Sequence, residues 1–221
     1  MTRNGLLRRM FLPALLAAVA FAPMPASAGA QAEERLAHSV VMGLAKEIAD
    51  APMPADYANR DELQPWLREM SRRIGDRIPN EGERRDFLAT VHYQATRAGL
   101  EPELVLGVIH HESNFRKFAI SSADARGYMQ VMPFWTGLIG SRDHNLFNLR
   151  TNLRYGCVIL RYYLVDREAG DLYRALGRYN GSLGRSEYPN AVLSASNRYR
   201  IVQPVAATTA NVAGSPTSLP R

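Results

Sequence analysis

Cysteine is all but missing from this sequence: among 221 residues there is only Cys157. A single thiol excludes any intramolecular disulfide, and its place inside a helical pattern marks it as a small core residue. Lysine is nearly as scarce, with Lys46 and Lys117 the whole complement, so arginine carries almost all the positive charge. No stretch alternates as a strand does, and no internal repeat is present, which argues against sheet and solenoid architectures. The apolar run from Met10 to Phe21 is too short, and too soon broken by proline, for a stable membrane span. The paired His110 and His111 lack the HExxH spacing, and adjacent helical residues point about 100° apart, so a zinc site with Glu112 is not expected.

What remains is ordinary globular composition, 46% hydrophobic and 22% charged. Arg3, Arg8 and Arg9 precede the apolar run, and Pro23, Pro25 and Ala26-Ser27-Ala28 follow it. A positive segment, an apolar segment and an A-x-A site read as a secretory signal, residues 1–28, cleaved after Ala28. The signal carries three arginines and no acids, so its removal lowers the net charge from +6 to +3. That modest surplus suits an anionic polymer but is no nucleic-acid footprint. The expected location is the periplasm, with no membrane anchor after cleavage.

Nearly everything after residue 30 reads as helix. Leu36, Val40, Val41, Leu44 and Ile48 recur at helical spacing, and Pro52 and Pro54 end that segment. Trp66, Met70 and Ile74 mark a second helix. Phe87, Leu88, Val91 and Ala95 mark a third, ended by Gly99. Pro102 suits the first position of a fourth. Pro133 opens a short helix through Leu138, Asn148 caps a long one over 150–167, and Asp171 begins a last short helix through Arg178. From Pro204 onward the composition predicts a disordered tail, 204–221. The fold class expected is all-α or predominantly α.

One residue stands out chemically. Val105, Val108, Ile109 and Glu112 share a stripe of the fourth helix, so Glu112 continues a buried face. It also sits at a helix C-terminus, where the macrodipole disfavours negative charge. Both effects raise a carboxyl pKa, and a protonated acid can donate to a leaving-group oxygen. On the helix alone, a partly buried Glu that caps a neighbouring backbone group or pairs with an arginine is the favoured reading.

Three separated pieces narrow the choice. Glu112-Ser113 ends a helix, Gly127-Tyr128-Met129-Gln130 leads into Val131-Met132-Pro133, and Tyr179-Asn180-Gly181 follows about fifty residues later. Their order and spacing resemble the soluble lytic transglycosylase catalytic domain, the goose-type-lysozyme-like fold of glycoside hydrolase family 23. The resemblance covers residues 86–203 and leaves 29–85 as an N-terminal helical extension without a chemical motif, which would brace the domain or recruit a partner. It implies that Glu112 is the single catalytic acid/base. Ser113 would contact the sugar or orient the acid. Met129 and Gln130 would line the glycan groove. Tyr179 would hydrogen-bond Glu112 or substrate, Asn180 would shape the same wall, Ser121 matches the family's loop serine, and Tyr188 its later groove tyrosine. Each also has a structural reading: Ser113 as a cap, Met129 as core, Gln130 bonding its own loop, Tyr179 as a core aromatic bonded to backbone.

The chain departs from the family where Asn-Pro usually follows the aromatic, for here Phe115 precedes Arg116-Lys117. Tyr128 and Arg178 replace the usual Leu and Ala. Arg116, Lys117, Arg126 and Arg178 would then meet anionic polymer at the groove rim. The partner implied is peptidoglycan glycan, with no cofactor and no metal. A hydrolytic glycosidase normally needs two carboxylates, and the matching positions provide one. That predicts cleavage of the MurNAc-β-1,4-GlcNAc bond by ring closure to a 1,6-anhydromuramoyl end. A goose-type muramidase using Asp124 or another acid, and a non-catalytic wall-binding protein, are the competing readings.

Overall fold

Helical spacing of apolar residues organises more than half of the residues that the computed structural model describes, 31–49 and 52–201. The expected signal and tail lie outside them. The helices are α1 (His38–Ile48), α2 (Gln64–Ile74), α3 (Glu81–Arg97), α4 (Pro102–Ser113), α5 (Phe134–Ile139), α6 (Leu149–Tyr162), α7 (Leu172–Tyr179) and α8 (Glu187–Asn197). Short 3-10 turns at Tyr57–Asn59 and Asp61–Leu63 lead into α2, and a π-turn at Tyr163–Arg167 extends α6. Among the described residues the only β pairing is two isolated bridges, Ile120 to Arg126 and Arg126 to Val131. The all-α fold expected from the sequence is the one observed.

The helix boundaries follow local chemistry. Asn80, Asn148 and Asp171 accept the backbone N–H of Glu83, Thr151 and Arg174, capping α3, α6 and α7. After α3 the chain turns at Gly99, whose φ of 66° is cheap only for glycine, and Leu100 N–H closes the turn on Ala95. The long helix expected over 150–167 is α-helical only to Tyr162.

Helix α8 corrects the expectation that the last helix stops at Arg178. Its third residue is Pro189, and although Tyr188, Val192 and Ala195 fall at helical spacing and are buried, interspersed Ser and Asn dilute that stripe. Proline is tolerated there because first-turn N–H groups have no partner within the helix. What holds α8 is close packing on α4. A Cβ on Gly107 would lie 2.8 Å from Ser196, so only glycine lets the helices approach so nearly.

Leu44 and Ile48 of α1, and Met70 and Ile74 of α2, share one apolar core with Phe87, Val105, Ile109, Leu153 and Ile159. The expected boundary at 85/86 falls inside α3. Cys157 is buried in α6, where burial pushes its thiol pKa well up. It is an inert core residue.

Candidate active site

Val105, Val108 and Ile109 on α4 are wholly buried, and Glu112 follows on their stripe. The helix then stops abruptly: Asn114 and Phe115 adopt left-handed φ values of 50° and 64°. The chain turns away just past the acid and leaves its carboxyl facing a groove of about 700 Å³. Glu112, Ser121, Gln130, Asn180 and Tyr188 line that groove. Glu112 is open to the groove yet surrounded by protein on its other sides. That burial pushes its pKa up to about 7, against the opposing pull of a hydrogen bond from Tyr188.

The Tyr188 hydroxyl donates to Glu112 Oε1 at 2.5 Å. Burial and the neighbouring Glu112 charge hold the Tyr188 and Tyr179 hydroxyls well above the usual phenol pKa, so both remain donors. The His111 ring meets Tyr188 edge-on at 5.0 Å. Tyr188 reaches the acid because α8 packs against α4 across Gly107.

The facing wall is the loop between α4 and α5, held by side chains rather than by a helix. Met129 N–H donates to Asn152 Oδ1 at 2.8 Å, while Asn152 Nδ2 donates to the carbonyls of Arg126 and Leu146. A Cβ on Gly127, φ 73°, would strike Asn152 Nδ2 at 2.5 Å and Leu146 O at 2.6 Å. Gln130, itself at φ 50°, donates Nε2 to the carbonyls of Ala119 and Gly127. Ser121 Oγ accepts the amides of Ala123 and Ala125. Gln31 is buried beside this wall, and its Oε1 accepts from Met132 N–H at 3.2 Å.

The expected site residues therefore divide. Glu112, Ser121, Gln130, Asn180 and Tyr188 converge on the groove. Met129 is wholly buried, and its carbonyl accepts the Tyr179 hydroxyl at 2.8 Å. Tyr179 thus braces the loop, and Tyr188 is the tyrosine on the acid. Ser113 is 1% exposed and bonds back to Ile109 O, a helical back-bond with no face to the groove. Arg178 is not a rim residue: it is held by Glu168 and Glu34 and does not line the groove. Arg126 is paired with Asp124.

Sequence reasoning missed Asn152, Gln31, Arg185 and Glu187. Asn152 could have been found as the one amide on the buried stripe of α6. Glu187 and Arg185 line the groove but belong to the unrecognised α8 and the turn before it. Ser182 Oγ, also at the groove, is buried without a partner. Among the described residues no three His, Cys, Asp or Glu side chains converge as metal ligands. A carboxyl held near neutrality and facing an open cleft is chemically able to donate one proton there.

The family model described as the transglycosylase SLT domain matches residues 89–200. The membrane-bound lytic murein transglycosylase C of Actinobacillus pleuropneumoniae serotype 5b is 45% identical over 53 residues, 24% of this chain and 14% of that protein. Its namesake from Klebsiella pneumoniae is 29% identical over 125 residues, 48% of this chain and 34% of that one. The chain thus spans between about a seventh and a third of the curated relatives it matches. An inactive mutant of the lytic transglycosylase Slt from Pseudomonas aeruginosa superposes with a TM-score of 0.45 at 22% identity, over 50% of this chain and 23% of that one.

Proposed function

Since the chain belongs to the transglycosylase SLT domain family, we propose that it is a periplasmic peptidoglycan lytic transglycosylase. Residues 1–28 are then the export signal, 86–203 the catalytic unit and 29–85 an extension bracing it. The observation that carries the proposal is Glu112: one carboxyl, raised to a pKa of about 7, facing a polymer-sized groove.

Protonated Glu112 donates to the glycosidic oxygen of a MurNAc-β-1,4-GlcNAc bond. The C1–O bond breaks, and positive charge develops at C1 of the muramoyl ring. Glu112, now a carboxylate, takes the proton of that ring's own C6 hydroxyl as its oxygen closes on C1. One C–O bond forms for the one broken, Glu112 regains its proton, and no water is consumed. Tyr188 steadies the carboxylate between the two proton transfers. The unpartnered Ser182 Oγ and the groove-lining Asn180 supply polar contacts to the N-acetylated sugars.

The test is a digest of purified peptidoglycan read by mass spectrometry. Wild type is expected to release muropeptides with anhydro ends, and Glu112→Gln to release none, a loss of at least about a thousandfold. Because the reaction begins with protonated Glu112, the rate should fall as pH rises through about 7.

One observation favours a second reading, a hydrolytic muramidase. Glu187 places another carboxylate at the groove, where it could direct water. Asp124, bonded to Arg126 and absent from the groove lining, is not suited to that role. Hydrated reducing ends that vanish in Glu187→Gln would establish hydrolysis. If wild type binds glycan and releases nothing, the protein is a wall-binding module.

A further inference from the structure

Phe118 and Ile120 are 71% and 62% exposed, more than any other large apolar side chain among the described residues. Both lie on one short segment beside the catalytic groove. They adjoin a further cavity of about 450 Å³ lined by Arg116, Lys117, Phe118, Ala119 and Ile120. Arg116, Ala119 and Ile120 line the catalytic groove as well, so the two spaces are adjacent.

The exposure is fixed by the backbone. The Ala119 carbonyl accepts from Gly127 N–H and from Gln130 Nε2, and Ile120 bridges to Arg126. Phe118 rests on Phe147 with the ring centroids 5.8 Å apart. An aromatic held on the surface in this way leaves apolar area in water, an arrangement that marks a binding face. Lys117 Nζ sits 5.3 Å from the Phe118 centroid, and Arg116 Nε bonds Ser113 O. Neither cation is paired with a carboxylate among the described residues. The segment therefore offers an exposed apolar ring with the Lys117 ammonium over it and unpaired with any carboxylate among the described residues.

We propose that Phe118, flanked by Ile120 and Lys117, is a distal subsite for the glycan. The flexible Lys117 side chain swings off the phenyl ring to meet a carboxylate carried by the polymer, and an N-acetylated hexosamine ring lays its C–H face on the phenyl ring. The lining shared with the groove selects the glycan as occupant. The carboxylate is either the free lactyl group of a peptide-stripped strand or a stem-peptide carboxylate. The proposal rests on the glycan-cleaving reading above but adds a separate contact.

The experiment measures binding by full-length Glu112→Gln protein, alone and combined with Phe118→Ala or Lys117→Ala. The ligands are N-acetylglucosamine oligomers of increasing length, peptide-stripped strands and peptide-bearing strands. Phe118→Ala should weaken binding of long ligands about tenfold while leaving short oligomers unaffected. In the active background it should raise KM on long strands about tenfold with little change in kcat. Equal affinity at every length for the variant and its parent would overturn the subsite. Lys117→Ala should cost affinity only for carboxylate-bearing strands, and whether stripped or peptide-bearing strands suffer identifies the carboxylate. An equal effect on neutral oligomers would overturn the charge contact. If the parent binds none of the glycans, the proposed function fails, a result distinct from failure of the subsite.

Discussion

The two walls of the groove are built on opposite principles. The loop wall, residues 114–133, has hardly any regular structure, yet Asn152, Gln130, Tyr179 and Gln31 hold its backbone with buried hydrogen bonds. Asn114, Phe115, Asp124 and Gln130 all have positive φ there. The opposite wall, residues 180–191, is a turn followed by α8, held by helix packing on α4. Its turn carries Gly181 and Gly184 at φ 74° and 88°, and residues 183–187 are exposed. A strained loop persists only where its surroundings over-determine it, whereas α8 is held by its buried face of Tyr188, Val192, Ala195 and Ser196. The loop wall depends on those hydrogen bonds, and the α8 wall sets where Tyr188 meets the acid.

The largest effect should come from breaking the loop wall at Asn152. Asn152→Ala strands the Met129 amide and the Leu146 carbonyl away from water, while the Arg126 carbonyl keeps the Val131 N–H. Each unpaired buried group costs about 1–3 kcal/mol, so the total should reach about 3 kcal/mol or more. Thermal unfolding should show a clear loss of Tm, and proteolysis should cut within 114–133. A Tm within a degree of wild type would mean that the loop does not depend on this amide.

On the other wall the corresponding break is Gly107→Ala. The added Cβ meets Ser196 at 2.8 Å and forces α8 outward, at a cost of about 1–3 kcal/mol. Tyr188 rides on α8, so turnover should fall by more than the stability loss explains. The loop wall should keep its proteolytic resistance. If activity and stability decline in step, α8 does not act through Tyr188.

The contrast also explains what was legible in the sequence. Helix α4 and its acid were readable because Val105, Val108, Ile109 and Glu112 obey helical periodicity. Gly99, Asn148 and Asp171 were readable as stop and cap signals whose chemistry is local. Helix α8 was not, because Pro189 and the interspersed Ser and Asn dilute the short stripe of Tyr188, Val192 and Ala195, and its closest contact is a glycine against a serine. Nor could spacing say which tyrosine reaches the acid. Tyr179 ends α7 and bonds Met129, while Tyr188 arrives from a short helix whose apolar stripe is interrupted by polar residues. Asn152 and Gln31 act through partners 23 and 101 residues away, beyond any local signal.

The smallest effect is the most diagnostic, because Tyr188→Phe removes one hydroxyl and leaves both walls standing. The Tyr188 bond lowers the Glu112 pKa, against the burial that raises it to about 7. Without the hydroxyl, burial acts unopposed and the pKa rises further. The alkaline limb of the rate profile should therefore move to higher pH, even as the rate at lower pH drops because the carboxylate loses its donor. The stability sign follows from the same shift. Glu112 ionises near 4.5 when unfolded and near 7 when folded, so its contribution to stability is full below about 4.5. It is lost as pH rises toward about 7. The variant's deficit should be about 1 kcal/mol and should grow across pH 7, because the lost bond is stronger to a carboxylate than to a protonated acid. Denaturant titrations at pH 5 and pH 8 read this directly. A deficit that shrinks with pH would show that Tyr188 does not donate to the charged form, and the geometry of the α8 wall would need another account.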